Sequence, residues 1–288
     1  MTSVTASQPH VPPAYKPKFA SNVADTLRRS NRRILVVGSG GTGKTTFSVS
    51  ASAFAGDTIP ADKPRVCHDV AVLQADIEGV AGAWRAGFEP AYVYDLSNTA
   101  TWTDYQSKLV EALRDLQPLF KSGDVKFLVV DLAHPNRLIQ ESVSPNVQKD
   151  WKGVASHGAK LFTAFAGLSG VTIIGNAQLK SSQAIGETAQ AASAAEARAV
   201  GGQRSMFSND LYKGVGSVWV ENSSLQISRE LKRVRDAKTG QVVPTFFSHT
   251  QSNNKFEAKS RFRDVLKPTE DGNITLHALL KRGYGEAL

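Results

Sequence analysis

The chain has 288 residues, 41% of them hydrophobic, which suits one α/β domain with tails. No apolar run is long enough for a membrane helix, and a single cysteine, Cys67, excludes an internal disulfide and any cysteine-cluster metal site. A net charge of +8 and an isoelectric point of about 9.5 suit a polyanionic partner such as nucleic acid, and equally suit a basic protein that binds none.

Residues 1–20 hold four prolines, few large aliphatic side chains and no apolar segment of the signal-peptide kind, so a disordered tail on a cytosolic (host cytoplasm, if phage-encoded) protein is expected. Ile34-Leu35-Val36-Val37 is a β-branched apolar run that stops at glycine, the pattern of a buried strand entering a loop. Thr45 to Ala55 reads as helix, and strands are expected around Ala71–Ala75 and Ala91–Leu96. Leu109, Leu113, Leu116 and Phe120 recur at helical spacing over Thr103–Phe120. A strand over Lys126–Asp131, a helix over Lys152–Leu168 and a strand over Val171–Asn176 follow. Strands alternating with helices predict a mostly parallel central sheet with helices on both faces.

The pattern changes after Leu179. Residues 181–204 are rich in alanine, serine, glycine and glutamine and lack an aromatic side chain, and they read as a mobile loop. Short strands are then expected at Val218–Val220, Leu225–Ile227, Leu231–Arg235 and Val242–Phe247, with a hairpin turn at Lys238-Thr239-Gly240. This C-terminal β-meander would extend the sheet on one edge. The expected organisation is a tail over 1–20, a core over 21–267 containing a mobile loop over 180–210, and an extension over 268–288.

Gly38-Ser39-Gly40-Gly41-Thr42-Gly43-Lys44-Thr45 matches the phosphate-loop pattern G-x-x-x-x-G-K-[ST], with a strand before it and a helix after it. The glycines let successive backbone N–H groups turn inward around phosphate oxygens, and the helix N-terminus adds its dipole. These residues, with Thr46 beside them, are the expected ATP site. Lys44 would reach the β- and γ-phosphates, and the Thr45 hydroxyl would ligate Mg²⁺.

Phe127-Leu128-Val129-Val130-Asp131 is an apolar strand ending in a carboxylate, the Walker-B pattern, in which Asp131 would hold Mg²⁺ through water. The plain alternative is an aspartate capping the next turn. Asp76-Ile77-Glu78 follows the second strand, and either acid could take a proton from an attacking water. Glu78, nearer the mouth if the strand continues, is favoured over Asp76. Asn176-Ala177-Gln178 places polar amides at a strand end, where they could sense the γ-phosphate and report to the next loop.

These pieces, in this order, resemble the RecA-like ATPases, and most closely the compact phage-encoded nucleotide-binding proteins that include the fourth group of Sak-class single-strand annealing recombinases. The resemblance covers roughly residues 30–270. It implies a RecA-like P-loop core, Glu78 as the water-activating glutamate and Gln178 at the start of a DNA-binding loop over Lys180–Arg204, with a shorter loop over His134–Lys149 beside it. Lys259-Ser260-Arg261-Phe262 resembles the K-x-R-F element of RadA- and DnaB-type members, in which both cations reach a neighbouring subunit's nucleotide. Lys259 and Arg261 sit at i and i+2, on one side of a strand, as such a role needs; a basic strand edge is the alternative. After Asp131 the family often has a small hydroxyl residue, and Leu132-Ala133-His134 stands there instead.

Arg229, Lys232, Arg233, Arg235 and Lys238 form one basic cluster, and Lys255, Lys259, Arg261, Arg263 and Lys267 another. Trp151 and Phe207 flank the two candidate loops and could stack on bases, although such aromatics are more often core residues. The expected function is an oligomeric ATPase, ring or filament, that binds single-stranded DNA and promotes annealing or exchange in phage recombination. A single-strand DNA-binding protein is a candidate partner. A helicase-like or loader ring and a nucleotide-gated assembly protein are the alternatives, and a small-molecule phosphotransferase is disfavoured by the absence of an arginine-rich lid near residues 130–200.

Overall fold

The computed structural model describes residues 32–74, 77–143, 151–178, 219, 223–236, 239–251, 258–260 and 266–285. In chain order these form β1 (Arg33–Gly38), α1 (Lys44–Val49), β2 (Arg65–Gln74), α2 (Ile77–Arg85), β3 (Phe88–Asp95), α3 (Trp102–Ser122), β4 (Phe127–Asp131), α4 (Ala133–Val143), α5 (Trp151–Ala166) and β5 (Thr172–Gln178). They continue with β6 (Leu225–Arg235), β7 (Val242–His249), β8 (Lys259–Ser260), β9 (Thr269–Asp271) and α6 (Leu276–Tyr284). The expected tail over 1–20, the loop over 180–210, and Asp76, Phe207, Lys238 and Arg261 lie outside the described residues.

One mixed sheet orders its strands β3-β2-β4-β5-β1-β6-β7-β9, with β8 paired to β6. The pairs from β3 through β6 are parallel, and β6/β7, β6/β8 and β7/β9 are antiparallel. The parallel strands are apolar on both faces because helices cover both. In β1, Ile34 and Val36 enter one apolar layer and Leu35 and Val37 the other, as period-two alternation requires.

The larger layer packs α3, α4 and α5 against Leu73, Leu128, Val130 and Ile173. Helix α3 starts at Thr101, whose hydroxyl accepts from the Asp104 N–H at 3.1 Å, and ends at Gly123 in the left-handed region. Trp219 completes this layer, fully buried against Phe162 and Phe165. It was expected in a strand, but its carbonyl accepts from the Ser223 N–H four residues on, a helical-turn bond. The second layer packs α1 and α6 against Val36, Val72, Val129, Ile174 and Ile227. Thr275 caps α6 by accepting from the Ala278 N–H and ties it to the Gly56 carbonyl, while Ser50 accepts from the Leu276 N–H. Leu276, Leu279 and Leu280 of the expected extension thus pack into the core beside α1.

Two expected features change shape. The shorter candidate loop over His134–Lys149 is helical through Val143. Pro135 stands in the first turn of α4, where its missing N–H costs nothing. The two short strands expected at Leu225–Ile227 and Leu231–Arg235 are one strand of 11 residues. Its polar middle, Ser228-Arg229-Glu230, is buried rather than turned out to water. The edge is also no simple meander, because β8 returns to pair Leu225 and Gln226, and β9 then pairs β7. The hairpin turn does form near Gly240, with the Asp236 N–H donating to the Gln241 carbonyl and Gly240 at φ 70°.

Candidate functional site

The carboxyl ends of β4, β5 and β1 lie side by side, the edge at which open parallel sheets bind ligands. Register sets Gly38 beside Gln178 and Asp131 beside Asn176. The strand bearing Asn176 and Gln178 therefore lies between the phosphate-loop strand and the Walker-B strand.

The loop from Ser39 to Gly43 leaves β1 and enters α1, which is six residues long, shorter than the Thr45–Ala55 helix expected. Gly41 and Gly43 take φ of 74° and 70°, a backbone only glycine adopts without strain. Thr42 turns its hydroxyl back onto the Ser39 carbonyl at 2.9 Å. The Lys44 ammonium donates to the Gly38 and Ser39 carbonyls at 3.0 and 2.9 Å, so its side chain folds over the loop rather than into the core. Phosphate oxygens entering the loop would compete with these carbonyls for that ammonium.

Thr45 and Thr46 open α1, and α2 packs directly on them. A Cβ on Gly79 would sit 2.7 Å from the Thr45 hydroxyl, and one on Gly82 would sit 3.7 Å from that of Thr46. Two glycines inside a helix cost roughly 1 kcal/mol each relative to alanine, and here they permit the two helices to touch. Strand β2 ends at Gln74, so the expectation that Glu78 continues it is not met; Glu78 stands in the first turn of α2, one residue before the Thr45 contact. The glycine-rich Glu78-Gly79-Val80-Ala81-Gly82 stretch hid this helix in the sequence.

Asp131 ends β4 and accepts the Ala133 N–H on Oδ1 at 2.8 Å, so it caps the next turn as well as facing the ligand edge. Leu132, which follows Asp131, is buried. Tyr105 packs near Asp131: burial, and secondarily the Asp131 charge, push its phenol well above the ordinary range. His134 hydrogen-bonds Thr99 at 2.8 Å, and burial, followed by the Arg137 charge, lowers its pKa, so it is neutral at pH 7. A magnesium ion on phosphates needs few protein oxygens, and the Thr45 hydroxyl and the Asp131 carboxylate are a hard-oxygen set of that kind. The described residues contain no cluster of three or more His, Cys, Asp or Glu that would hold a metal without a ligand's help.

Asn176, expected to sense the γ-phosphate, is 2% exposed, and its Oδ1 accepts the Ser48 hydroxyl at 2.6 Å. It ties the sheet to the phosphate-loop helix. Lys259 pairs with Gln226 on the outer side of β6. Gln226 precedes Arg229, the residue beside Gly38, by three positions, roughly 10 Å along a strand.

Arg229 is the residue that sequence reasoning misplaced. It was grouped with the nucleic-acid-facing cations, yet it is 3% exposed. Its guanidinium lies 4.5 Å from the Phe47 ring and 5.5 Å from that of Phe246, and Nη1 donates to Ser248 Oγ at 2.6 Å and to the Gly272 carbonyl at 3.0 Å. Desolvation, offset in part by the Asp271 charge, pushes its pKa down to about 10, still above pH 7, so the guanidinium stays charged. The available signal was parity: two positions after buried Ile227 on one strand, Arg229 shares its face.

Beyond residue 230 the β6/β7 hairpin leaves the body. Leu231–Arg235 and Val242–Pro244 are all exposed, an arm carrying Lys232, Arg233 and Arg235 among apolar side chains. Among the described residues no helix is long and apolar enough to cross a membrane. Trp151 opens α5. No protein-family model matches the chain, and no curated protein matches it significantly.

Proposed function

We propose that this chain is a RecA-like P-loop ATPase that acts as a homo-oligomer on single-stranded DNA and promotes strand annealing or exchange in phage recombination. The observation that carries the ATPase part is the shared edge on which Gly38–Thr45, Asp131 and the Asn176–Gln178 strand end converge, with the Lys44 ammonium already curled over the loop carbonyls.

In this reading the loop N–H groups and Lys44 bind the phosphates of ATP, and phosphate oxygens replace the Gly38 and Ser39 carbonyls on the Lys44 ammonium. Thr45 and Asp131 would hold Mg²⁺, which when bound neutralises charge on the β- and γ-phosphate oxygens. Glu78, one residue from the α2 contact with Thr45, is the candidate base for the attacking water. The Ser48–Asn176 bond supports coupling, because it joins the phosphate-loop helix to the strand that runs on through Gln178 toward the candidate DNA loop over Lys180–Arg204. Lys259 and Arg261 remain proposed trans-acting cations.

The test is ATP turnover with and without single-stranded DNA at low salt. Stimulation by DNA, lost in Lys44→Ala, supports the reading; no stimulation together with no DNA binding removes the recombinase part. One observation favours a second reading. The exposed arm sets Leu231, Val234, Val242 and Val243 in water, which suits a protein-binding element of a nucleotide-gated assembly protein. A protein partner retained at high salt with slow ATP turnover would select it.

A further inference from the structure

We infer that Arg229 is a positioning residue for the phosphate loop, a fixed cation behind Gly43 that selects for polyphosphate over monophosphate. This rests on reading Gly38–Thr45 as the nucleotide site.

Strand β6 runs parallel to β1, with Ser228 opposite Val37, and this brings Arg229 alongside the start of the loop. The approach is close: a Cβ on Gly38 would meet the Arg229 carbonyl oxygen at 2.7 Å. The side chain then passes under the loop, and Nη2 comes within 3.7 Å of where a Gly43 Cβ would stand, with Phe246 Cε1 at 3.6 Å from the same point. Gly43 is the left-handed residue that turns the chain into α1. Arg229 and Phe246 together form the floor beneath it.

The guanidinium's hydrogen-bond partners are a hydroxyl and a carbonyl, both neutral, and Nε is buried with no hydrogen-bond partner. The rings of Phe47 and Phe246 hold the group in place without neutralising it. The Asp271 charge offsets the desolvation of this buried guanidinium only in part, and phosphates held by the loop on the other side of Gly43 would add the negative charge that its bonded partners do not supply. Because α1 is only six residues long, its own dipole is weak, and a fixed guanidinium below the loop adds preorganised positive potential. A purely structural arginine would tie β6 to Ser248 and the Gly272 turn and be indifferent to the number of phosphates bound.

The experiment titrates ATP, ADP and AMP with Mg²⁺ into the full-length wild-type, Arg229→Met and Arg229→Lys proteins, following each titration by calorimetry. The account expects Arg229→Met to lose at least tenfold in ATP affinity, less for ADP and least for AMP, with Arg229→Lys recovering most of the loss. ATP affinity within twofold of wild type in Arg229→Met overturns the inference, and so does an equal loss for ATP and AMP. If Arg229→Met fails to fold, Arg229→Gln, which keeps a donor for Ser248 and removes the charge, is read by the same ATP-to-AMP ratio. A wild-type protein that binds none of the three nucleotides overturns the nucleotide-site reading itself, which is distinct from an unchanged Arg229→Met.

Discussion

The Ser48 hydroxyl donates to Asn176 Oδ1 at 2.6 Å, and both side chains are buried. Ser48 lies one helical turn past Thr45 in the phosphate-loop helix, and Asn176 lies beside Asp131 in the sheet. This bond joins the phosphate-loop helix directly to the strand that ends at Gln178. The bond also has an energetic cost if broken, since an unpaired buried amide oxygen loses about 1–3 kcal/mol. Ser48→Ala is therefore expected to lower unfolding free energy by about 1–2 kcal/mol in urea, and to reduce DNA stimulation of ATP turnover more than it reduces turnover without DNA. Equal reduction of both rates would leave Asn176 with a packing role alone.

Gly79→Ala places a methyl group 2.7 Å from the Thr45 hydroxyl. Either α2 shifts away or Thr45 rotates. Overpacking of this kind costs about 1–3 kcal/mol. Thermal denaturation is expected to show a lowered midpoint, and Mg²⁺-dependent nucleotide affinity is expected to fall several-fold. A Gly123→Ala control, at a helix end with open space around it, should leave nucleotide affinity unchanged.

Cys67 is buried in the layer beneath α1, and burial raises its thiol pKa to about 11. At pH 8 the thiol is protonated as well as inaccessible, so alkylation of the folded protein is expected to be negligible over hours. Denaturant returns the thiol toward its ordinary pKa and exposes it, so labelling should follow global unfolding. Rapid labelling under native conditions at pH 8 would show that this layer opens locally.

The exposed arm gives a salt-dependent prediction. Lys232 reaches back to Glu230 at 3.0 Å, whereas Arg233 and Arg235 lie further out. Replacing both arginines by glutamine is expected to weaken single-stranded DNA binding at low salt and to flatten the dependence of log affinity on log salt by about 1–2. If affinity and slope both stay at the wild-type values, the arm is not the DNA contact, and the apolar side chains beside it point to protein.

Much of the parallel half of the fold was legible because its signals are local. Ile34 to Val37 followed by a glycine loop, and Phe127 to Val130 followed by Asp131, each carry strand, ending and chemistry in a few residues. What stayed hidden depends on partners distant in sequence. Helix α2 was masked by Gly79 and Gly82, which make sense only with Thr45 and Thr46 packed against them. Helix α4 went unread because the resemblance implies a loop over His134–Lys149, although Pro135 fits a first turn. Arg229 looked like one more surface cation, because parity with Ile227 is visible only once β6 is one strand, and Phe47, Phe246 and Ser248, which close over it, are distant in sequence. The 11-residue span of β6 was broken into two for the same reason: charged residues at its centre are paired only through the fold, Glu230 with His249 at 3.0 Å among them.

The most direct measurement is calorimetric titration of Mg²⁺·ATP into the wild-type protein and into Lys44→Ala. The account predicts saturable one-to-one binding in the micromolar range for wild type, and at least a hundredfold weaker binding, about 3 kcal/mol, for the variant. The absence of binding to wild type, or equal affinity in the two proteins, would contradict it.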